Sequence, residues 1–122
     1  MKYYDLTKPR ILREQGFRCW FCGKPIADGH WHHGVIPRGR TNYKKFQRWL
    51  DMPENGAIVC PECDTQHGRM TGFEVRNRLF SEKIDLGYDM IGWLESIPMR
   101  VKENFHYLPK EERNGKINDF LR

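Results

Sequence analysis

The chain has 122 residues, of which 39% are hydrophobic and 30% are charged, and its formal net charge at pH 7 is +5. This length allows one domain with a modest core, and the composition excludes an intrinsically disordered chain. The sequence contains no apolar run long enough for a membrane-spanning helix, and its N-terminus lacks the apolar stretch of a signal peptide. We therefore expect a globular protein of the reducing cytoplasm.

The first predicted elements are a helix and a hairpin. Residues 8–15 are expected to form a short helix, with Thr7 as its N-cap and Gly16 as its stop. The residues of HWHHGVI, at 30–36, favour strand structure, and PRGR at 37–40 favours a turn. This segment and the chain that follows the turn should form a short hairpin.

Helices dominate the predicted structure downstream. Four are expected: residues 43–51, a helix that begins after Cys63, residues 73–86 and residues 101–108. Between the first two of these, Asn55-Gly56 is a turn signal, and the apolar residues 57–59 follow it.

A basic segment lies between residues 38 and 49. It carries five positive side chains and no acidic one, and the aromatic residues Tyr43, Phe46 and Trp49 are interleaved with them. The positive residues are Arg38, Arg40, Lys44, Lys45 and Arg48. Such a patch suits a polyanion, most often nucleic acid. The alternative is a solvated helix face whose three aromatic residues turn into the core.

Four cysteines come as two pairs, CWFC (Cys19, Cys22) and CPEC (Cys60, Cys63). Two such pairs can complete a tetrahedral thiolate shell around zinc. A reducing compartment disfavours a disulfide framework, and a thioredoxin-like role calls for a single pair in a strand–helix context. We therefore predict a structural zinc site.

Thirty-seven residues separate the two cysteine pairs. Zinc ribbons usually have about 15–20 residues there, so additional structure is expected between the pairs. The intervening segment contains the histidines His30, His32 and His33, the basic segment, and Asn55.

The order of these features resembles the HNH nuclease family. The resemblance rests on ILREQGFRCWFCG, HWHHGVIPRG and NGAIVCPECDTQHG, which lie between residues 11 and 68. It implies an α+β fold, a ββα-metal finger with a four-cysteine zinc site, an N-terminal helix and a helical C-terminal extension. Residues 1–72 would form the nuclease core and 73–122 an extension of the same domain.

The resemblance also implies roles for individual residues. His33 matches the general base, and Asn55 matches the asparagine that orients the base or fixes the loop facing it. His32 and His67 match ligands of a catalytic divalent ion such as Mg²⁺ or Mn²⁺. Asp64, three residues before His67, is a further candidate ligand.

The sequence departs from the family pattern at one position. In many members the base stands three residues before the proline, and Gly34 has that place here. Either Gly34 forms a bulge in the hairpin, or the register of His32 and His33 is shifted, so the assignment of base and ligand between these two histidines is open. His30 is a spare ligand or, as we favour, an exposed side chain.

The resemblance implies a metal-dependent endonuclease that nicks or cleaves double-stranded DNA, with Arg38 and Arg40 directed at phosphates. It also implies a phage or mobile-element origin, in the host cytoplasm, with a homodimer or a phage packaging or replication protein as further partners. Two alternatives are a zinc-stabilised module that binds DNA or protein without catalysis, and an enzyme that acts on RNA.

Overall fold

The computed structural model describes residues 3–37, 43–66, 70 and 72–97. Within them the protein is a small α+β structure with one two-stranded antiparallel sheet. After a 3-10 helix at Tyr3–Leu6, its elements are α1 (Lys8–Glu14), β1 (His30–His33), α2 (Tyr43–Leu50), a 3-10 helix at Pro53–Asn55, β2 (Gly56–Val59), α3 (Pro61–Asp64), α4 (Phe73–Asp85) and α5 (Met90–Ser96).

The sheet joins two distant segments. β1 pairs with β2 in antiparallel register, from His30 opposite Val59 to His33 opposite Gly56. Within the described residues the strand that pairs with β1 comes only after α2, and the turn and return of the expected local hairpin fall at residues 38–42, outside the described residues. The second half of that segment, Val35 and Ile36, is fully buried beyond the end of β1 rather than extending the strand.

Gly34 is not a bulge in the ladder. The β1–β2 pairs run without interruption through His33, and Gly34 N–H then donates to Asn55 O at 2.9 Å. A Cβ at this position would collide with the side chain of Leu79 on α4. A glycine here lets α4 pack closely against the end of β1, because any larger residue would force the Leu79 side chain to shift.

Helix α1 agrees with its prediction in extent. Its residues Ile11 and Leu12 are buried in a cluster with Trp31 and Ile58, so the helix covers one face of the sheet. Gly16 follows the helix with a φ of 67°. Thr7 has the predicted N-cap position, but its side chain makes no capping hydrogen bond.

Helices α4 and α5 complete the main core. Leu79 and Phe80 from α4 and Trp93 from α5 pack with Ile36 and with Phe46 of α2. The chain as far as Ile97 therefore shares a core with the segment around β1. The sequence analysis predicted α4, which ends before Gly87 at a φ of 97°, but not α5. The predicted helix at 101–108 and the turn at 38–40 lie outside the described residues.

No helix in the described part of the chain is long and apolar enough to cross a membrane.

Candidate metal centre and histidine site

The first cysteine pair is held by a tight loop. Arg18 and Pro25 form an isolated β-bridge, and Cys19 N–H donates to Lys24 O at 2.8 Å. Gly23 has a φ of 80°, a conformation that favours glycine, and its N–H returns to Cys19 O at 2.9 Å. Both thiols thus lie on one turn, as the two-residue spacing predicts.

The second pair lies where β2 passes into α3. Cys60 follows the last strand residue, and Cys63 lies within the single helical turn that begins at Pro61. Because β2 pairs with β1 and its Ile58 carbonyl also accepts from Trp20 N–H at 3.0 Å, the two cysteine pairs are brought face to face.

The four sulfur atoms are positioned to hold a metal ion. They all lie within 4.8 Å of one another, and the Sγ atoms of Cys22 and Cys60 are 3.8 Å apart. A tetrahedral site with Zn–S bonds of about 2.3 Å has an edge of about 3.8 Å. Cys19, Cys60 and Cys63 are buried and Cys22 is exposed, so the site lies at the surface with most of its shell shielded.

The cysteine thiols differ in acidity. Burial raises the pKa of Cys19, but hydrogen bonds from the backbone N–H groups of Cys22 and Cys60 outweigh it and lower the pKa to about 7. Burial raises the pKa of Cys63. A metal ion favours the thiolate form, so it would offset the cost of burying Cys63 as an anion.

His33 forms a buried pair with Asp51. Its Nε2 atom lies 2.7 Å from Asp51 Oδ1, and the two side chains are 8% and 0% exposed. His33 is the last residue of β1, and Asp51 directly follows α2. The pair therefore joins the sheet to α2, the helix that comes between the two strands in the sequence. A carboxylate so placed fixes the orientation of an imidazole and favours the Nε2–H tautomer.

Asn55 holds the loop that follows β1. Its Oδ1 atom accepts from the N–H groups of Val35 and Ile36 at 3.0 and 2.7 Å. Its Nδ2 donates to the carbonyl oxygens of Ile36 and Leu50 at 3.1 and 2.9 Å. With four hydrogen bonds from a fully buried amide, this asparagine fixes the loop next to His33.

Removal of the Asn55 amide should weaken the fold. Asn55→Ala leaves buried backbone groups without their partners, and each such loss costs about 1–3 kcal/mol. We expect the free energy of unfolding to fall by about 3 kcal/mol in urea denaturation. Glu74→Ala, at an exposed position on α4, is the control and should change it little. An Asn55→Ala protein as stable as the wild type would contradict this role of Asn55 in holding the loop.

The other histidine of the predicted pair lies on the opposite face of β1. Side chains alternate along a strand, so His32 shares its face with His30 and not with His33. His30 Nδ1 lies 2.9 Å from Asp64 Oδ2 on α3, while His32 is buried, 1% exposed. Asp64 is therefore brought to His30, whose side chain is 53% exposed, as the sequence analysis favoured. His67 lies outside the described residues.

The basic residues of α2 face solvent. Lys44, Lys45 and Arg48 are exposed, whereas Phe46 is buried in the main core. The Arg48 guanidinium lies 5.7 Å from the centroid of the Trp49 ring. Phe46 and the partly buried Trp49 thus pack toward the main core, as the alternative interpretation predicted for them, and the exposed charges form a basic face. Arg38 and Arg40 lie outside the described residues.

The sequence analysis missed three charged residues that the fold buries. Besides Asp51, these are Arg76, whose Nε donates to Val35 O at 2.7 Å, and Lys83. One weak feature of the sequence points to Asp51: it is the first acidic residue after a basic amphipathic helix, and it stands four residues before Asn55. Arg76 and Lys83 look like ordinary surface residues of a helix in the sequence.

No protein-family model, curated protein or solved structure matches this chain.

Proposed function

We propose that this protein is a zinc-stabilised, metal-dependent DNA endonuclease that hydrolyses phosphodiester bonds with a histidine as general base. The buried His33–Asp51 pair, at 2.7 Å, carries the proposal. An imidazole held by a carboxylate is the arrangement by which proteins orient a base, and here it lies at the end of a strand beside a loop fixed by Asn55. Although α2 is inserted between the strands, β1, β2 and the helical turn α3 follow one another in the order of a ββα-metal finger, which supports the proposal.

The chemistry of His33 follows from its tautomer. Asp51 accepts the proton on Nε2, so the lone pair of the neutral imidazole lies on Nδ1. That nitrogen would take a proton from the attacking water, and Asp51 would stabilise the imidazolium that results. Asn55 acts indirectly, by holding the loop that follows His33.

Zinc is the proposed ion of the four-cysteine site, because thiolate ligands and a tetrahedral edge of 3.8 Å match its preferences. Among the described residues, these cysteines form the one group of three or more potential ligands close enough to share an ion. A catalytic Mg²⁺ or Mn²⁺ would require His67 together with His32 and Asp64. It would supply charge stabilisation at the phosphate.

The exposed face of α2 is the proposed DNA contact. If Lys44, Lys45 and Arg48 neutralise phosphates, the logarithm of the binding constant should fall linearly with the logarithm of salt concentration. Each single glutamine substitution should flatten that slope by roughly 0.9. Arg13→Gln, an exposed substitution on α1, is the control and should leave the slope unchanged. Unaltered slopes in all three α2 variants would assign these residues to a solvated surface only.

The burial of the His33–Asp51 pair favours a second candidate. Side chains only 8% and 0% exposed are equally suited to joining β1 to α2 in a non-catalytic, zinc-stabilised binding module. In that case the protein would bind DNA or a protein partner through α2 and would not cut.

Supercoiled plasmid separates the two candidates. Incubated with Mg²⁺ or Mn²⁺, the endonuclease should convert it to nicked or linear form, and a chelator should stop the reaction. Structured RNA added as a competitor should leave cleavage unchanged if DNA is the substrate. Retention of the plasmid in a gel shift without cleavage would support the binding module, and loss of cleavage to the RNA competitor would indicate an RNA-directed enzyme.

A further inference from the structure

A cavity separate from the histidine site lies between α1, the first cysteine loop and α4. Its volume is about 450 Å³, within the usual range for small-molecule pockets. Ile11, Trp20, Leu79 and Leu86 give it an apolar lining, and Lys83 of α4 also lines it.

Lys83 is an unusual residue to find there. It is 2% exposed, yet within the described part of the chain no carboxylate oxygen lies within 4.0 Å of its Nζ. Its Nζ atom lies 4.8 Å from the centroid of the Tyr88 ring. A buried ammonium without an ion pair is costly, so this environment favours the neutral amine.

Two acidic residues near Lys83, Glu14 and Glu82, are engaged with other partners. Glu14 accepts from the Tyr88 hydroxyl at 2.7 Å, and its second neighbour is Arg10 at 3.5 Å. Glu82 accepts from Trp20 Nε1 at 2.6 Å and pairs with Arg78 at 3.4 Å.

The charge balance around Lys83 sets its acidity. Burial lowers the pKa of Lys83 to about 8, and the positive charge of Arg10 adds a smaller lowering effect. The carboxylates of Glu14, Glu54 and Glu82 act in the opposite direction and raise the pKa, but they do not outweigh burial. About a quarter of the Lys83 side chains are then uncharged at pH 7.5, compared with on the order of one in a thousand for an ordinary lysine.

We propose that this cavity binds a neutral carbonyl compound, an aldehyde with an apolar or aromatic body, and that Lys83 forms an imine with it. The lining favours an uncharged ligand, because a charged group would lose its hydration against the apolar side chains, and Glu14 and Glu82 are already paired with arginines. The apolar body would lie against Trp20, Leu79 and Leu86.

The reaction balances without an oxidant or a reductant. The Nζ lone pair of the neutral Lys83 attacks the carbonyl carbon, and one of the two Nζ protons passes to the carbonyl oxygen to give a carbinolamine. Loss of the hydroxyl group with a proton from nitrogen then releases one water and leaves a carbon–nitrogen double bond. An amine desolvated in an apolar pocket is the form that starts this reaction.

Reductive labelling of the wild-type, zinc-loaded protein tests the proposal. Benzaldehyde and cyanoborohydride are added at pH 7.5, and the modified lysines are mapped by mass spectrometry. Lys24 is the internal comparison, because its hydrogen bond to Glu62 raises its pKa. We expect Lys83 to be modified at least about tenfold faster than Lys24, with a rate that levels off above pH 8.

Two further measurements separate binding in the cavity from simple reactivity. Leu86→Trp, at a half-exposed position in the lining, should slow labelling of Lys83 and leave Lys24 unchanged. 4-Carboxybenzaldehyde, normalised to its reaction with a free lysine derivative, should modify Lys83 less than benzaldehyde does. Labelling of Lys83 no faster than that of Lys24, or only after unfolding, would overturn the proposal, and preference for the charged aldehyde would overturn the neutral ligand class.

Discussion

Replacement of Cys60 by serine is expected to abolish tight zinc binding and to unfold most of the described chain. Cys60 is buried, follows β2 directly and precedes α3, so an ion held there connects the sheet to the first cysteine loop. Structural zinc contributes binding free energy on the order of 10 kcal/mol, which is comparable to the whole stability of a small domain. Elemental analysis should find about one zinc per wild-type chain and none in the variant, whose far-ultraviolet circular dichroism should show loss of helix.

The control lies between the two cysteines of the second pair. Glu62 is exposed and pairs with Lys24 at 3.3 Å, so Glu62→Gln removes a charge next to the site without removing a ligand. It should keep both zinc and fold. Cys22→Ser should lose zinc as Cys60→Ser does, although Cys22 is exposed, because all four sulfurs share one ion. Wild-type protein that stays folded without zinc, with four reactive thiols, would refute the metal centre.

The sequence predicted those features that depend on neighbouring residues. The two cysteine pairs each form within a single turn, so their spacing was sufficient to place the thiols. The bounds of α1 and α4 followed from apolar periodicity and from Gly16 and Gly87, which both have positive φ. Asn55 was singled out from the motif, and its four hydrogen bonds show what holds the loop after β1 in place.

Features that depend on distant residues escaped prediction. β1 pairs with a strand that begins only after α2, and nothing in HWHHGVI specifies that partner. Asp51 meets His33 across eighteen residues, a contact that exists only once α2 has packed against the sheet. Helix α5 contains Gly92, a weak helix former, and its Asp89 cap accepts from Gly92 N–H at 2.9 Å. In each case tertiary packing decides the outcome, not local propensity.

His33→Ala is expected to lower the rate of DNA cleavage by about 10²–10⁴-fold, the usual cost of losing a general base. Zinc content and DNA affinity should stay at wild-type levels, because the cysteines and the α2 basic face are unchanged. The substitution also removes His33 from the buried Asp51 carboxylate, so it should lower the stability of the fold. The rate must therefore be measured per folded molecule, with the folded fraction taken from thermal unfolding.

Asp51→Asn distinguishes a positioning role from a structural one. The amide can donate to His33 Nε2, which moves the ring proton to Nδ1 and removes the lone pair from the nitrogen that would accept a proton. If Asp51 acts through His33, the substitution should slow cleavage in the wild-type background and have no further effect in His33→Ala. An Asp51→Asn protein that unfolds more readily but cuts at the wild-type rate per folded molecule would limit the pair to stability.

The same assay decides between His33 and His32 as the base. The two side chains lie on opposite faces of β1, so only one of them can share the face of Asp64 on α3. With His33 as base, His32→Ala should weaken binding of the catalytic ion, and excess Mn²⁺ should restore part of the cleavage. With His32 as base, His32→Ala should bind the ion normally and fail to cut, while His33→Ala cuts normally once allowance is made for its folded fraction. Normal cleavage by both variants would move the catalytic site away from β1, because no other residue of that strand matches the base.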